Sequence, residues 1–532
     1  MIDDTDRSIP ARLLRVAAAH PDQEAVVDGE IRITYARLAT AIVQATRSAL
    51  AAGILPGDRA AILAPNGYRW ILAALGILGA RGVVVPVNTR FKGAEAADVL
   101  ARSGARILFT DNDFLGIDFA QLLAEHTAAL PEPIRVVVMN GPAREDVPWH
   151  RYLGDGRLVA ESAATARIAS VGPDDPCDIL FTSGTTGRPK GAVSTHGRLL
   201  RLYDDWSDIV GLRSGGRQLV ITPFFHSFGY KAGWLATLLR GATVVPMAVF
   251  DVDTVLATVE RERITLLPGP PTLLQDLLDS PDRDRYDLTS LRATVIGAAT
   301  IPVDLIRRLR DEMTFTTVLS GYGLTETNGP ASLCRADDDL DTIAHTAGKA
   351  MPGTEIRIVD GNGTELPPGA HGEIVIRGYH LMTGYLDDPV ATAAAIDGAG
   401  WLHTGDLGRL DERGYLMITG RMKEMFVVGG FNVYPAEVEE LLLGHEALAR
   451  VAVVGLPDTR LGEVGMAFVV PRPGATVTAD ELITWARARM ANYKAPRYVE
   501  ICPALPTNAL GKIRKDELLA RGLSRADAAH RR

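Results

Sequence analysis

Apolar, β-branched runs recur along the chain at 59–64, 83–87, 217–222, 242–246, 264–268 and 292–296. Helical patterns lie between many of them, as at 35–51, 93–102 and 302–311. Strands alternating with helices predict α/β layers built on parallel sheets. The run from Trp70 to Ala80, flanked by Arg69 and Arg81, is too short to cross a bilayer and reads as a buried helix. Pro367-Pro368-Gly369 marks a turn between strand pairs.

The pattern changes across 401–424. Strand-like Tyr415–Thr419 gives way to Gly420-Arg421-Met422-Lys423-Glu424, and a compact α+β pattern follows. It predicts an apolar run at 425–428, a helix at 436–443, strands near 449–455 and 464–471, a helix at 479–491 and a strand at 498–502. We place a boundary at about residue 420, giving an N-terminal domain over 1–420 and a C-terminal domain over 421–532. Residues after about 521 are polar and expected to fray.

Composition supports several domains, since 532 residues at 47% hydrophobic can bury large cores. A net charge of -9 argues against a nucleic-acid partner, so an anionic substrate must be met by local cations and backbone donors. Cys177, Cys334 and Cys502 are far apart and form no CxxC pair, which argues against a disulfide framework or zinc site and suits a reducing cytoplasm. The opening MIDDTDRS has neither the basic nor the apolar region of a signal peptide. We therefore expect a cytoplasmic protein with no integral membrane segment.

The sharpest chemical signal is Phe181-Thr182-Ser183-Gly184-Thr185-Thr186-Gly187-Arg188-Pro189-Lys190-Gly191, directly after the apolar strand Ile179–Phe181. Its glycines let the backbone turn tightly, successive amides can form a phosphate nest, and Lys190 supplies a compact positive charge. It is not a Walker A loop: Pro189 stands where the second glycine belongs and no GK[ST] follows. A flexible linker is the bland alternative, but linkers rarely carry an ordered Pro-Lys-Gly ending after a buried strand.

Weaker candidates follow. Gly321-Tyr322-Gly323-Leu324-Thr325-Glu326 comes after strand-like Thr316–Leu319 and offers a ring for a flat base, a phosphate donor in Thr325 and a magnesium ligand in Glu326. Alone, it fits an ordinary turn leading into a helix equally well. Gly297-Ala298-Ala299 leaves room for a ligand or for close helix packing. His226 sits among three aromatics in Pro223–Gly229, a loop whose Gly229 gives flexibility, and there a pocket role outweighs a structural one. Asp406 fits a ribose acceptor with Arg421 as a second contact, or else a capped turn with a surface arginine. Lys512, in Pro506–Lys515, would not be chosen on physical grounds alone, because a lysine in a basic tail is usually solvated.

Taken in order, these stretches resemble the adenylate-forming superfamily of acyl- and aryl-CoA synthetases, luciferases and peptide-synthetase adenylation domains. The resemblance covers nearly the whole chain and includes Trp401–Asp406, Gly420–Lys423 and Gly429–Glu437. It implies a large N-terminal domain of αβαβα layers and a small mobile α+β C-terminal domain. It also implies an ATP-dependent acyl-CoA ligase using ATP, Mg2+ and CoA, active as a monomer or homodimer, which makes an acyl-AMP with release of pyrophosphate and then a thioester with release of AMP.

By that resemblance, Thr182, Ser183, Gly184, Thr185, Thr186 and Lys190 hold the β- and γ-phosphates. Gly297, Ala298, Ala299 and Tyr322, flanked by Gly321 and Gly323, line the adenine, and Asp406 and Arg421 hold the ribose. Thr325 meets the α-phosphate, Glu326 binds magnesium, and Lys512 bridges the substrate carboxylate and α-phosphate. Lys423 is the hinge, Gly429 and Gly430 border the pantetheine tunnel, and His226 gates it. The chain departs from many relatives at Glu424, where an aspartate is common, and at Thr300, where a proline is common. Pro86–Arg90 through Phe114-Leu115-Gly116, with Gly429–Glu437, resemble a narrower group that activates the propanoate side chain of the indane remnant in bacterial steroid-ring degradation. A medium-chain fatty acid or aryl acid, a carrier protein in place of CoA, luciferase-like oxygenation, or a binding protein without catalysis are the alternatives.

Overall fold

The computed structural model describes the chain except residues 1–6, 127–129, 131, 183–188, 298–300, 423, 429–430, 459, 491, 509–511 and 531–532. One sheet has eight strands in the order Gly384–Tyr385, Lys190–Thr195, Pro176–Thr182, Val83–Pro86, Arg59–Leu63, Ile107–Asp111, Arg135–Asn140 and Val147–Pro148. Its centre is parallel and buried on both faces. In Arg59–Leu63, Ala60 and Ile62 face one apolar cluster while Ala61 and Leu63 face another, and Val84 opposes Val83 and Val85 in the same way. This period of two explains why these strands read as continuous apolar runs rather than alternating ones.

A second layer is formed by two four-stranded sheets. One orders Arg217–Val220, Thr243–Pro246, Glu24–Asp28 and Ile31–Thr34; the other orders Ala293–Gly297, Thr317–Leu324, Gly329–Leu333 and Lys349–Ala350. The run at 264–268, expected as a strand, instead joins the two through isolated parallel bridges from Leu266 to Gln218 and to Ala293. Pro268, Pro270 and Pro271 cannot donate to a ladder, so pairing is reduced to single bridges, the last from Gly269 to Ile296. Helices Tyr35–Ala51, Tyr68–Gly79 and His196–Val210 contribute to the large core that both layers share. Tyr68–Gly79 is buried from Trp70 onward, and a Cβ at Gly76 would stand 2.8 Å from the Ala45 carbonyl oxygen, so glycine permits the close pairing with Tyr35–Ala51. The result is the αβαβα layering that the family resemblance implies.

An antiparallel sheet, Thr354–Val359, Gly372–Gly378, Leu402–Leu410 and Leu416–Arg421, leads out of this body. Beyond it, Phe431–Val433, Phe426–Val428, Gly462–Pro471 and Leu448–Asp458 form a separate sheet, with Tyr498–Ile501 added parallel to Gly462–Pro471. Here too the two faces divide, with Val451, Val453, Ala467 and Val469 in one cluster and Ala452, Val454, Met466 and Phe468 in another. Helix Ala479–Arg487 ends four residues before the expected 491. The C-terminus does not fray at 521: Lys515–His530 is helical, with Leu518 buried against Leu456 and Met466. Among the described residues, no helix is long and apolar enough to cross a membrane.

Candidate adenylation site

The phosphate-loop candidate is the tip of a hairpin. Pro176–Thr182 pairs antiparallel with Lys190–Thr195, setting Thr182 opposite Lys190. The Thr182 hydroxyl donates to the Lys190 carbonyl at 3.4 Å. Ser183, Gly184, Thr185 and Thr186 lie outside the described residues. The Lys190 ammonium sits 5.0 Å from the centre of the Tyr385 ring, and the Tyr385 hydroxyl donates to Glu326 Oε1 at 2.8 Å. Burial, reinforced by Glu326, pushes the Tyr385 phenol well up and keeps it a neutral donor.

The Gly321–Glu326 motif is not a turn into a helix. Strand Thr317–Leu324 carries its first four residues, with a register shift between Tyr322 and Gly323, a turn follows at 325–328, and Gly329–Leu333 returns antiparallel. Asn328 closes that turn with its amide donating to the Thr325 carbonyl at 2.9 Å. Packing accounts for the two glycines: a Cβ on Gly321 would meet Leu333 Cδ1 at 2.7 Å, and one on Gly323 would meet the Gly329 carbonyl oxygen at 2.0 Å. Gly297, paired with Gly321 at the adjacent strand end, differs, since its Cβ would meet nothing nearer than the Gly321 oxygen at 4.0 Å. Open space therefore lies over Gly297. Ala298 and Ala299 are outside the described residues.

Tyr322 projects from this strand and donates its hydroxyl to Asp406 Oδ2 at 2.6 Å. Asp406 lies within Leu402–Leu410, not at a strand end, directly across from Arg421. Arg421 Nε stands 3.1 Å from Asp406 Oδ1. Burial raises the Asp406 carboxyl above its ordinary range, while Arg421, Tyr322 and Lys512 pull it back. The Tyr322 phenol is pushed well up, first by burial and then by Asp406.

Lys512 is presented by a closed loop. The Asn508 amide donates to the Lys512 carbonyl at 2.8 Å, the Lys512 amide donates to Asn508 Oδ1 at 3.0 Å, and Thr507 bridges to Ile513. Its amine is solvent-reachable yet crowded by protein. Loss of surrounding water lowers its pKa, Arg421 lowers it further, and Asp406 opposes both. His226 is pushed down to about 4 by burial, with Lys512 adding to the effect, and its Nδ1 accepts from the Phe228 amide at 3.2 Å. The ring is thus neutral with its proton on Nε2. Gly229 does not loosen this loop, because its Cβ position is 2.2 Å from the Thr222 carbonyl oxygen. Close approach, not flexibility, requires glycine there.

The structure thus brings Tyr322, Asp406, Arg421, Lys512 and His226 into one electrostatic neighbourhood, and joins Lys190 to Glu326 through Tyr385. Lys423, Gly429 and Gly430 lie outside the described residues. Beside them, Lys515 bridges Glu424 and Glu439, each at 2.8 Å, tying the Lys512 loop to the segment next to residue 423. Sequence reasoning missed Tyr385, whose position depends on a two-residue strand, Gly384–Tyr385, added to the hairpin edge. It also missed Asp178 and Lys231, both fully buried. The available signal was a charge inside an apolar run, which demands a partner.

The model for the AMP-binding enzyme family matches residues 13–386, and that for its C-terminal domain matches 437–512. A Rhodococcus jostii (strain RHA1) protein named 3-[(3aS,4S,7aS)-7a-methyl-1,5-dioxo-octahydro-1H-inden-4-yl]propanoyl:CoA ligase is 46% identical over 515 residues, covering 96% of this chain and 98% of its own. The Mycobacterium tuberculosis (strain ATCC 25618 / H37Rv) protein of the same name is 46% identical over 518 residues, covering 97% and 99%. An anthranilate CoA ligase solved with anthranoyl-AMP superposes with a TM-score of 0.87 at 26% identity, covering 99% of both chains. With both family models matching in order around this site, the chain belongs to the AMP-binding enzyme family.

Proposed function

We propose that this chain, an ATP-dependent acyl-CoA ligase, takes as its acid a bulky cyclic propanoate of the kind left from steroid rings. The observation that carries this is the 46% identity, sustained over nearly the full length, to ligases named for the indane propanoyl thioester. The open space over Gly297, beside Tyr322, suits the flat adenine of the ATP that this reaction consumes.

The chemistry requires a carboxylate to attack the α-phosphorus of ATP, breaking its bond to the β-phosphate and expelling pyrophosphate, so positioning and charge neutralisation do most of the work. Thr182 and Lys190, with the loop between them, hold the β- and γ-phosphates. Tyr322 lies against the adenine, with Gly297 and Gly321 beside it, while Asp406 and Arg421 take the ribose hydroxyls. Thr325 donates to the α-phosphate. Glu326 offers hard carboxylate oxygens beside Lys190 and Tyr385, which suits Mg2+, an ion commonly held by one or two carboxylates plus substrate phosphates. Bound there, Mg2+ would neutralise phosphate charge. Lys512 faces the carboxylate and the α-phosphate together, and the protein crowded around its amine, which lowers its pKa, leaves its positive charge less screened than in open water. The acyl-AMP is then attacked by the CoA thiol, which releases AMP.

Two half-reactions at one site need two arrangements. We assign the change to rotation of the C-terminal domain about Lys423, near the boundary at 420. Rotation withdraws Lys512 and opens the thiol path bordered by Gly429 and Gly430 and gated by His226. We further propose a cytoplasmic enzyme, monomeric or homodimeric. Mass spectrometry of the purified enzyme with ATP, Mg2+, CoA and competing acids tests the reading. The indane propanoate should be converted to its thioester, with AMP, ahead of linear medium-chain and aryl acids. Preference for a linear or aryl acid would reassign the substrate, and adenylate without thioester would point to a carrier protein.

A further inference from the structure

Lys231 has no part in the chemistry above, yet its side chain is fully buried, as is that of its partner Asp178, 3.1 Å away. Its ammonium also donates to Ser194 Oγ and to Asn328 Oδ1, each at 2.9 Å. Ser194 in turn hydrogen-bonds Asn328 Oδ1, and Asn328 Nδ2 donates to the His380 carbonyl at 2.8 Å. Holding a charge this deep is costly, and a well-packed apolar group often serves stability as well or better. The arrangement therefore calls for an explanation beyond stability.

The location of these partners supplies it. Asp178 and Ser194 face each other across the phosphate hairpin, and the same pairing continues to Thr182 and Lys190 at its tip. Side chains two and four residues apart share a strand face, so Asp178 shares a face with Thr182, and Ser194 with Lys190. Asn328 ends the turn that carries Thr325 and Glu326, and holds a left-handed φ of 60° there. Lys231 itself lies in the π-helix Phe228–Leu235, directly after the His226 loop. Such helices are rare and frequent at functional sites. One ammonium thus touches the hairpin, the Thr325–Glu326 turn and the helix behind His226.

We propose that Lys231 is a positioning residue for adenylate formation, fixing the phosphate hairpin and the Thr325–Glu326 turn at one mutual geometry. The inference rests on the reading of Lys190, Thr325 and Glu326 as groups that meet ATP and its metal. A small misplacement of such groups costs about 100-fold in rate.

The test compares Lys231→Met, the charge-free double variant Lys231→Met/Asp178→Leu, and Glu326→Gln with the parent. Melting temperature, acid-dependent ATP–pyrophosphate exchange over ATP and Mg2+ concentrations, and thioester formation from supplied acyl-AMP are measured. Lys231→Met should lose stability because Asp178 is left unpaired, and the double variant should regain it. In the double variant, exchange should stay about 100-fold down with raised ATP and Mg2+ requirements, while thioester formation falls far less. Exchange that recovers together with the melting temperature would make Lys231 merely structural and overturn the proposal. If Glu326→Gln raises the Mg2+ requirement but the double variant does not, the ATP-site reading stands and the Lys231 proposal falls. If Glu326→Gln leaves that requirement unchanged, the site reading fails, and the premise of the proposal with it.

Discussion

At the scale of single residues, the site runs on charges whose settings oppose each other. Lys512 has an amine pKa below the ordinary lysine value, chiefly through lost hydration. In the role proposed for it Lys512 carries its proton to two anions, and adenylate formation should then lose rate on the alkaline side earlier than a free lysine near 10.4 would allow. Lys512→Ala should abolish acid-dependent ATP–pyrophosphate exchange and spare thioester formation from supplied acyl-AMP. Equal loss of both steps would remove Lys512 from its role. Legibility in the sequence divides at this scale. The run Thr182–Lys190 announces itself because Gly, Thr and Lys chemistry is local. Lys512 needed the resemblance, since nothing local distinguishes it from a solvated lysine. Tyr385 and Asn328 were illegible because their partners, Glu326 and Lys231, lie 59 and 97 residues away.

At the scale of elements, the same glycine-rich vocabulary serves opposite purposes. Gly323 exists for its neighbour strand, and a methyl there has nowhere to go. Gly323→Ala should cost about 1–3 kcal/mol through overpacking, read as a lower urea midpoint with little change in substrate preference. Gly297→Ala should leave that midpoint within about 0.5 kcal/mol of the parent, as for a change away from tight packing, but alter the KM for ATP or acid. The reverse pattern would exchange the two assignments. Sequence could not separate these glycines, because both stand at strand ends beside small residues. The deciding fact is the return of Gly329–Leu333 along one side of Thr317–Leu324 while Gly297 faces open space. The failed strand at 264–268 has a related cause: its apolar residues are right for a strand, but Pro268, Pro270 and Pro271 lack the N–H groups of a continuous ladder and leave single bridges at Leu266 and Gly269.

For the molecule as a whole, three histidines, two fully buried and His226 partly so, set a common limit on acid tolerance. His196, His226 and His380 are each pushed down to about 4, with burial the largest cause in every case. His196 accepts from the Ile9 amide at 3.3 Å, anchoring the first helix, and the His380 carbonyl receives Asn328 beside the Lys231 cluster. In the unfolded chain these rings titrate near 6.5. Between that value and about 4 the unfolded state binds the protons and the folded state refuses them, so stability falls as pH falls. Each ring contributes a slope of about 1.4 kcal/mol per pH unit, and three together about 4 kcal/mol per unit. Carboxylates held low by arginines, such as Glu24 and Glu262, begin to act only at the acid end of this window. Urea unfolding at pH 7, 6 and 5 should show the steep loss, and His196→Asn, which can still accept from Ile9, should reduce the slope by one proton. A flat profile across this range would mean that the rings are protonated in the fold, and that burial does not govern the interfaces around the site.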